Sequence, residues 1–557
     1  MIASHRIAGS ALVLGVAAVQ ILAILPDAGH AQTDDAGAPA AASIRARDLR
    51  ADLTFLASDL LEGRLVGTAG NRLASAFIGA RFGRLGLRPM NGDTYFQEFR
   101  LMRASLGAAN ALRVSVGGRS TTARLNEDFY PHPFSASVTA RGGLVFAGFG
   151  IVAPDRGHDD YRDADVRGRV VLVIDHAPGE YGPNPSLAGL LTSEAATPLD
   201  KTLAAQARGA AAVLFVADEH NHGVTSLAAD AGRAWPTAPS RVAEYLLADQ
   251  AERVRIPAVR ISIDLASRLL GGLDQTLGEL SRAAEHGGWQ GPIPMPGATV
   301  DVTSSVERRM IPERNVLAAL EGGDPLLRDE WVILGAHLDH EGAQGVRVFS
   351  GADDNGSGVV GLLEIAEAYA LAAESGRRPR RSVLFAAWNA EERGLLGAWA
   401  YVDRPAAPLA RTVAVINMDM IGRSEEVPTG GGLRFAGLEP QTAGSNANAV
   451  NLLGYSWAPD LSDLVARANA AVGLEVKRRY DAHETLLRRS DQWPFLQRGV
   501  PAVWFFTGLH PDYHTPADAS ERIDYDKLAR VARLIYETSW ALAEGDDRPA
   551  FARPASR

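Results

Sequence analysis

The chain has 557 residues, 46% of them hydrophobic and 22% charged, with a formal net charge of −10 and no cysteine. This composition supports packed cores and excludes a disordered chain, while the acidic balance argues against nucleic-acid binding. Without cysteine there is no disulfide, thiolate zinc site, iron–sulfur cluster or cysteine nucleophile, so any metal must be held by His, Asp and Glu.

His5 and Arg6 precede an apolar run from Ile7 to Leu25, followed by Pro26 and the small-residue stretch Gly29-His30-Ala31. That order is the layout of a secretory signal. Residues 1–31 are expected to be removed, leaving an exported protein, periplasmic or secreted, with no stable membrane association. An uncleaved anchor is the alternative reading, since about 20 apolar residues can span a bilayer. After residue 31 no run reads as long and apolar enough to span. Residues 32–47, rich in Ala, Gly, Asp and Pro, read as a mobile tether.

From Leu49 a helical pattern runs through Leu53, Leu56 and Leu60 to Gly63, and a second covers about Asn71–Leu85 and stops at Gly86. Between about 110 and 300 the texture is β-rich, with short runs at Gly143–Phe149, Val170–Ile174, Ala211–Val216 and Ile256–Ile261 and a short helix at Lys201–Arg208. Beyond 300 short apolar runs (Val316–Leu320, Trp331–Ala336, Val383–Trp388, Val413–Met418, Pro501–Phe506) alternate with helical patterns at Gly358–Ala373, Leu461–Val472 and Tyr525–Ala543. The alternation predicts an α/β fold with a mainly parallel central sheet flanked by helices, whose ligands sit beyond the carboxyl ends of the strands.

Metal-ligating residue types cluster just after those strands. They lie in Gly335-Ala336-His337-Leu338-Asp339-His340, Gly351-Ala352-Asp353-Asp354-Asn355-Gly356-Ser357-Gly358, Asn389-Ala390-Glu391-Glu392, Asn417-Met418-Asp419-Met420-Ile421-Gly422 and Tyr513-His514-Thr515-Pro516-Ala517-Asp518. Singly each has a bland explanation: a turn, a helix cap, a solvated acidic pair or a core histidine. Together, at one edge of one sheet, they point to a metal site built from imidazoles and carboxylates.

The chain resembles the M28 family of zinc peptidases over about residues 48–100 and 300–545. Leu56-Ala57-Ser58-Asp59-Leu60-Leu61-Glu62-Gly63-Arg64 and Gly67-Thr68-Ala69-Gly70 resemble the entry to that fold. Lys201-Thr202-Leu203-Ala204, Gly209-Ala210-Ala211-Ala212 and Ile256-Pro257-Ala258-Val259 resemble an inserted protease-associated (PA) domain. The resemblance implies a catalytic domain in two parts, 48–110 and 301–545, a β-rich PA-like insert over 111–300 and a flexible tail over 546–557.

It also implies two Zn2+ ions per chain. His337 and Asp419 would bind one, Glu392 and His514 the other, and Asp354 would bridge both. Asp339 would hydrogen-bond the far nitrogen of His337, Glu391 would be the general base towards a shared water, and the peptide after Asp354 would be cis. Tyr513, Ser490 and Asp491 would line the substrate pocket, although Gln492 stands where the family pattern has His. His340 falls to the surroundings or rim of the site, His483 and His510 at most to its lining, and His220 and His222 to a solvated loop.

The expected function is an exported zinc-dependent exopeptidase, an aminopeptidase removing N-terminal residues from peptide substrates. A carboxypeptidase of the same fold stays open, with Arg423, Arg488 and Arg489 available for a substrate carboxylate. More distant alternatives are a glutaminyl-cyclase-like acyltransferase with one zinc and a non-catalytic receptor.

Overall fold

The computed structural model describes residues 38–162, 164–178, 194–218, 226–237, 244–286, 288–481 and 484–553. The expected export signal, His220, His222 and His483 lie outside these residues. Residues Ala38–Arg557 pack as one unit containing a 10-stranded and an 8-stranded sheet.

The larger sheet has four parallel strands at its centre, ordered Ser382–Trp388, Trp331–His337, Thr412–Met418 and Ala502–Phe506. Their side chains are buried on both faces, which is why they read as unbroken apolar runs. Alternate residues serve different layers. Val332, Leu334, Val383, Phe385, Ile416 and Phe505 meet the helices Ala46–Leu56, Gly358–Glu374 and Tyr525–Glu544. Ile333, Leu384, Trp388, Val415 and Trp504 meet Tyr401, Phe495 and Leu496 on the other face.

Antiparallel strands flank this parallel centre. Val306–Leu320 pairs antiparallel with Ser382–Trp388, and Ala449–Leu453 antiparallel with Ala502–Phe506. From Trp331–His337 the chain crosses first to one side of that strand and then back past it to Thr412–Met418. This is a topological switch point, and it opens a crevice at the carboxyl ends of the strands.

Two long strands, Phe96–Leu106 and Val306–Leu320, form an antiparallel ribbon in register from Leu106↔Val306 to Phe96↔Val316. Past its tip the chain builds the smaller sheet, which runs from Ala111 to Thr303 and so extends beyond the boundary expected at 300. Four of its strands run parallel, Thr139–Phe146, Val170–Ile174, Ala212–Val216 and Ala258–Ile261. Leu246–Leu247, from the same stretch of chain, pairs back onto Leu101–Met102 of the larger sheet.

Three sequence expectations need correction. Residues 38–47 are not a free tether: Ala38 N–H donates to Glu537 at 2.7 Å, Arg533 donates to the Ile44 carbonyl at 2.6 Å, and Ile44 is wholly buried. The start of the 546–557 tail is likewise pinned, with Ala550 N–H on Asp460 (2.9 Å) and Ala552 N–H on the Trp457 carbonyl (2.8 Å). Polar backbone near an apolar surface takes whatever partners the last helices offer. The segment Ala352–Glu374 is also long and apolar enough to cross a membrane by length and composition, yet it is mostly buried as the core helix of this sheet.

Candidate metal centre

Each central strand ends by delivering one motif into the crevice. His337 is the last residue of its strand and wholly buried. Its Nε2 lies 3.2 Å from Asp354 Oδ1, 3.3 Å from Asp419 Oδ1 and 3.8 Å from Glu391 Oε2. His514 Nε2 lies 2.9 Å from Asp354 Oδ2 and 3.2 Å from Glu392 Oε2. Asp354 therefore turns one oxygen to each histidine. Two donor sets result, His337 with Glu391 and Asp419, and His340 with Asp354, Glu392 and His514, each with ligand atoms within 4.8 Å of one another.

The Gly351–Gly358 turn holds Asp354 in this bridging position. Asp353 and Asp354 N–H groups donate to the Asp518 carboxylate at 3.0–3.1 Å, and Gly422 N–H donates to Asp353 Oδ1 at 2.7 Å. The Asn355 amide donates to the Met418 carbonyl (2.8 Å) and accepts from Gly358 N–H (2.9 Å). The Asp354–Asn355 peptide is cis, as the resemblance implied. Gly351 has φ +55°, and a Cβ there would stand 2.2 Å from the Asp354 carbonyl oxygen and 2.5 Å from the His340 ring, so only glycine fits.

Asp339 does a different job from the one expected. His337 Nδ1 lies 3.2 Å from the Asp339 backbone carbonyl oxygen and 3.9 Å from its carboxylate. The carboxylate instead accepts the N–H groups of Glu391 (3.0 Å) and Glu392 (3.3 Å). Two buried amides compete better for the carboxylate than an imidazole that already has a carbonyl acceptor.

Ser490 and Asp491 also change place. Ser490 Oγ donates to Asp419 Oδ2 at 2.5 Å and accepts from the Asn417 amide at 2.7 Å, so it holds a ligand rather than a substrate. Asp491 is 1% exposed, with neither carboxylate oxygen hydrogen-bonded, and burial pushes its pKa well up. Gln492 is buried too, its amide donating to the Leu487 carbonyl at 2.6 Å. His510 does not line the pocket either; it is buried, with Nε2 3.3 Å from Asp353 Oδ2.

Tyr513 does face the crevice, its ring stacked 3.8 Å from that of His514. It lines a cavity of about 220 Å³ together with Asp354, Glu391, Glu392, Asp419, Arg488 and Arg489. Leu395, Met420, Leu486, Trp504, Phe506 and Leu509 supply the apolar wall.

The electrostatics ask for more positive charge than the protein provides. Burial opposes the charged form of His337, yet Glu391 and Asp419 drive its pKa well above normal. His514 is pushed up to about 11 against burial by Glu392 and Asp354. Burial, reinforced by Asp419, Glu392 and Asp491 against the pull of His337, drives Glu391 well up. Imidazole and carboxylate donors gathered this closely, and short of positive charge, fit two borderline divalent cations. Zinc suits the set, with Asp354 shared.

Sequence reasoning missed Arg64. Its buried guanidinium donates to the carbonyls of Leu56, Leu338, Ser350 and Gly351 at 2.6–2.8 Å, tying the His337 and Asp354 loops together. It also missed the polar chain beneath Glu391, in which the Asn389 amide donates to Asn71 (3.0 Å) and Glu313 (2.8 Å) and the Asn389 N–H donates to Asn315 (3.0 Å). Arg64 and Asn389 stand in motifs the sequence shows, but nothing local assigns their partners, most of which are far away in sequence.

Residues 315–539 match the model of Peptidase family M28. A probable glutamate carboxypeptidase of Arabidopsis thaliana is 29% identical over 300 residues, covering 52% of this chain and 37% of the relative. Leucine aminopeptidase 2 of Trichophyton equinum is 31% identical over 244 residues, covering 43% of each chain. The chain thus spans less than half the length of these curated relatives. Among solved structures, an aminopeptidase from Aneurinibacillus sp. strain AM-1 aligns with a TM-score of 0.46 at 18% identity, covering 92% of this chain and 96% of that one.

Proposed function

We propose that the protein, whose residues 315–539 match the model of peptidase family M28, is an exported metallo-exopeptidase using two zinc ions, with aminopeptidase action on peptides the favoured reading. The observation that carries the proposal is Asp354, whose two carboxylate oxygens face two separate donor sets with Glu391 beside them. Export rests on the sequence of residues 1–31, and the PA-like character of the smaller lobe on its sequence resemblance.

Bound zinc would supply Lewis acidity, polarising the scissile carbonyl and acidifying water. The remaining work falls to the chain. Glu391 takes the proton of the attacking water and returns it to the leaving amine. Asp339 holds the Glu391 and Glu392 amides, and so fixes where that carboxylate stands. Tyr513 keeps its proton, because burial and the surrounding carboxylates drive its pKa well up, and it faces the cavity as a donor to the developing oxyanion. The Leu486, Leu509 and Phe506 wall receives the side chain of the cleaved residue.

Relatives named leucine aminopeptidase support attack at the amino terminus. The second reading, a carboxypeptidase, is supported by Arg488 and Arg489 in the cavity wall and by relatives named probable glutamate carboxypeptidases. Arg423 contributes less, being 3.1 Å from Asp512. The test uses one tripeptide in two blocked forms. An aminopeptidase cleaves the C-amidated form and spares the N-acetylated one, and a carboxypeptidase does the reverse. In either case a chelator abolishes cleavage and zinc restores it. Cleavage that survives exhaustive chelation overturns the metal reading.

A further inference from the structure

We infer that His340 and Glu341 are positioning residues for the outer half of the metal centre, His340 setting Glu392 and Glu341 setting His514. This rests on the two-metal reading above and adds to it two residues to which the family resemblance gives no role.

The two halves of the site are built differently. His337 ends a central strand, wholly buried, with Nδ1 beside the Asp339 carbonyl, so its ring direction follows from the sheet. His514 sits on a turn at φ +55°, and its side chain is 25% exposed. Glu392 follows the left-handed Ala390 turn, φ +59°, on a short helical loop. Neither ligand has its side-chain direction dictated by a strand. Each needs a second contact.

The chain just past His337 provides both. His340 is wholly buried, and its Nδ1 lies 2.6 Å from Glu392 Oε1. The other oxygen of Glu392, Oε2, is the one that faces His514. The two oxygens are thus divided, one in close contact with His340, though short of hydrogen-bond alignment, and one turned to the metal position. The His340 ring cannot drift, because it packs edge-on to His514 with ring centres 5.4 Å apart and against Gly351 on the other side. At 3.9 Å from Asp354 Oδ2, its Nδ1 stands closer to Glu392 than to the shared ligand.

Glu341, 5% exposed, places Oε1 3.5 Å from His514 Nδ1, the ring nitrogen turned away from Asp354 and Glu392. A carboxylate on the far nitrogen of a ligating imidazole fixes its tautomer and orientation and raises its basicity. The run from His337 to Glu341 therefore supplies one ligand to the inner half and a support to each ligand of the outer half.

The test is zinc affinity of the full chain, read by competition with a chromogenic chelator and independent of turnover. Wild type should bind two zinc ions. His340→Ala and Glu341→Ala should each weaken one site about 10–100-fold, the range for supports of this kind, and leave the other unchanged. His340→Gln, which keeps an N–H donor, and Glu341→Gln, which keeps an acceptor oxygen, should each recover part of the loss. Unchanged affinity at both sites in the alanine variants overturns the inference. So does equal weakening of both sites, or glutamine variants no better than alanine, which is the outcome if His340 were itself a ligand. Fewer than two zinc ions in wild type would instead sink the two-metal reading, whatever the variants do.

Discussion

At the carboxyl ends of their parallel strands both sheets bury charged side chains, but the charges are balanced by different means. In the smaller sheet the protein balances them itself. Lys201 donates from Nζ to the carbonyls of Ile174 (2.8 Å), Asp175 (3.1 Å) and His176 (2.7 Å). Arg260 pairs with Asp175, and His176 pairs with Asp218. In the larger sheet the same location holds Asp354, Glu391, Glu392 and Asp419, balanced within the donor sets only by imidazoles. Architecture alone does not make a metal centre. The difference lies in whether the cations are covalently part of the chain.

The sharpest way to break this comparison is at Glu391. Glu391→Gln keeps the shape of the side chain and removes its basicity. The expected result is a fall in kcat of about 10³-fold with two zinc ions still bound, read by steady-state kinetics beside metal analysis. Near-normal turnover would mean that the carboxylate is not the base.

A smaller effect is expected at Lys201, which should behave as the internal counterpart of a bound metal. Lys201→Met keeps the apolar stem and strands three carbonyls, one buried and two half-buried, at a cost of about 3 kcal/mol. Denaturant unfolding should show that loss while zinc stoichiometry stays as in wild type. A variant that lost zinc would show that the two edges are not independent.

Arg81 offers an intermediate case, with Asp52 at 2.8 Å, Glu367 at 3.2 Å and Glu364 at 3.7 Å. Burial lifts the Glu364 carboxyl from 4.5 to about 7, with Glu367 adding and Arg81 opposing. The folded state therefore keeps a proton that the unfolded chain releases, and stability falls as pH rises from about 4.5 to about 7. Glu364→Gln abolishes that fall. At pH 8 it should be up to about 3 kcal/mol more stable than wild type, with the advantage gone near pH 4.5, as measured by unfolding at both pH values.

Much of the larger sheet was legible because its central strands are buried on both faces. Runs such as Val383–Trp388 need no partner to be recognised. The ribbon Phe96–Leu106 and Val306–Leu320 was legible only at Val316–Leu320, because Arg100, Arg103, Arg308, Arg309 and Arg314 interrupt the rest. Those charges point to solvent or to distant partners, as Arg314 does to Ser75 at 2.9 Å. At the site, His337, Asp354, Glu391, Glu392, Asp419 and His514 were legible because each follows a strand or opens a helix within a motif. The roles of Asp339, Ser490, His340 and Glu341 were not. Each depends on which of several nearby acceptors or donors wins, and that is decided by distances of a few tenths of an ångström.

The ribbon has one further consequence. At its tip Leu106 faces Val306, and Gly107 N–H donates to the Ser305 carbonyl at 3.0 Å. To the larger sheet, everything between those two residues is equivalent to the turn of a hairpin, a gap that two residues can close. Evolution could therefore exchange, enlarge or delete the whole smaller lobe without re-threading a single strand around the metals, giving up the rung of Leu246–Leu247 against Leu101–Met102 and side-chain contacts such as Arg100–Glu252, Gln250–Asp403 and Arg498–Glu194. The lobe is a detachable module, and variation among related chains should concentrate between those two anchor points.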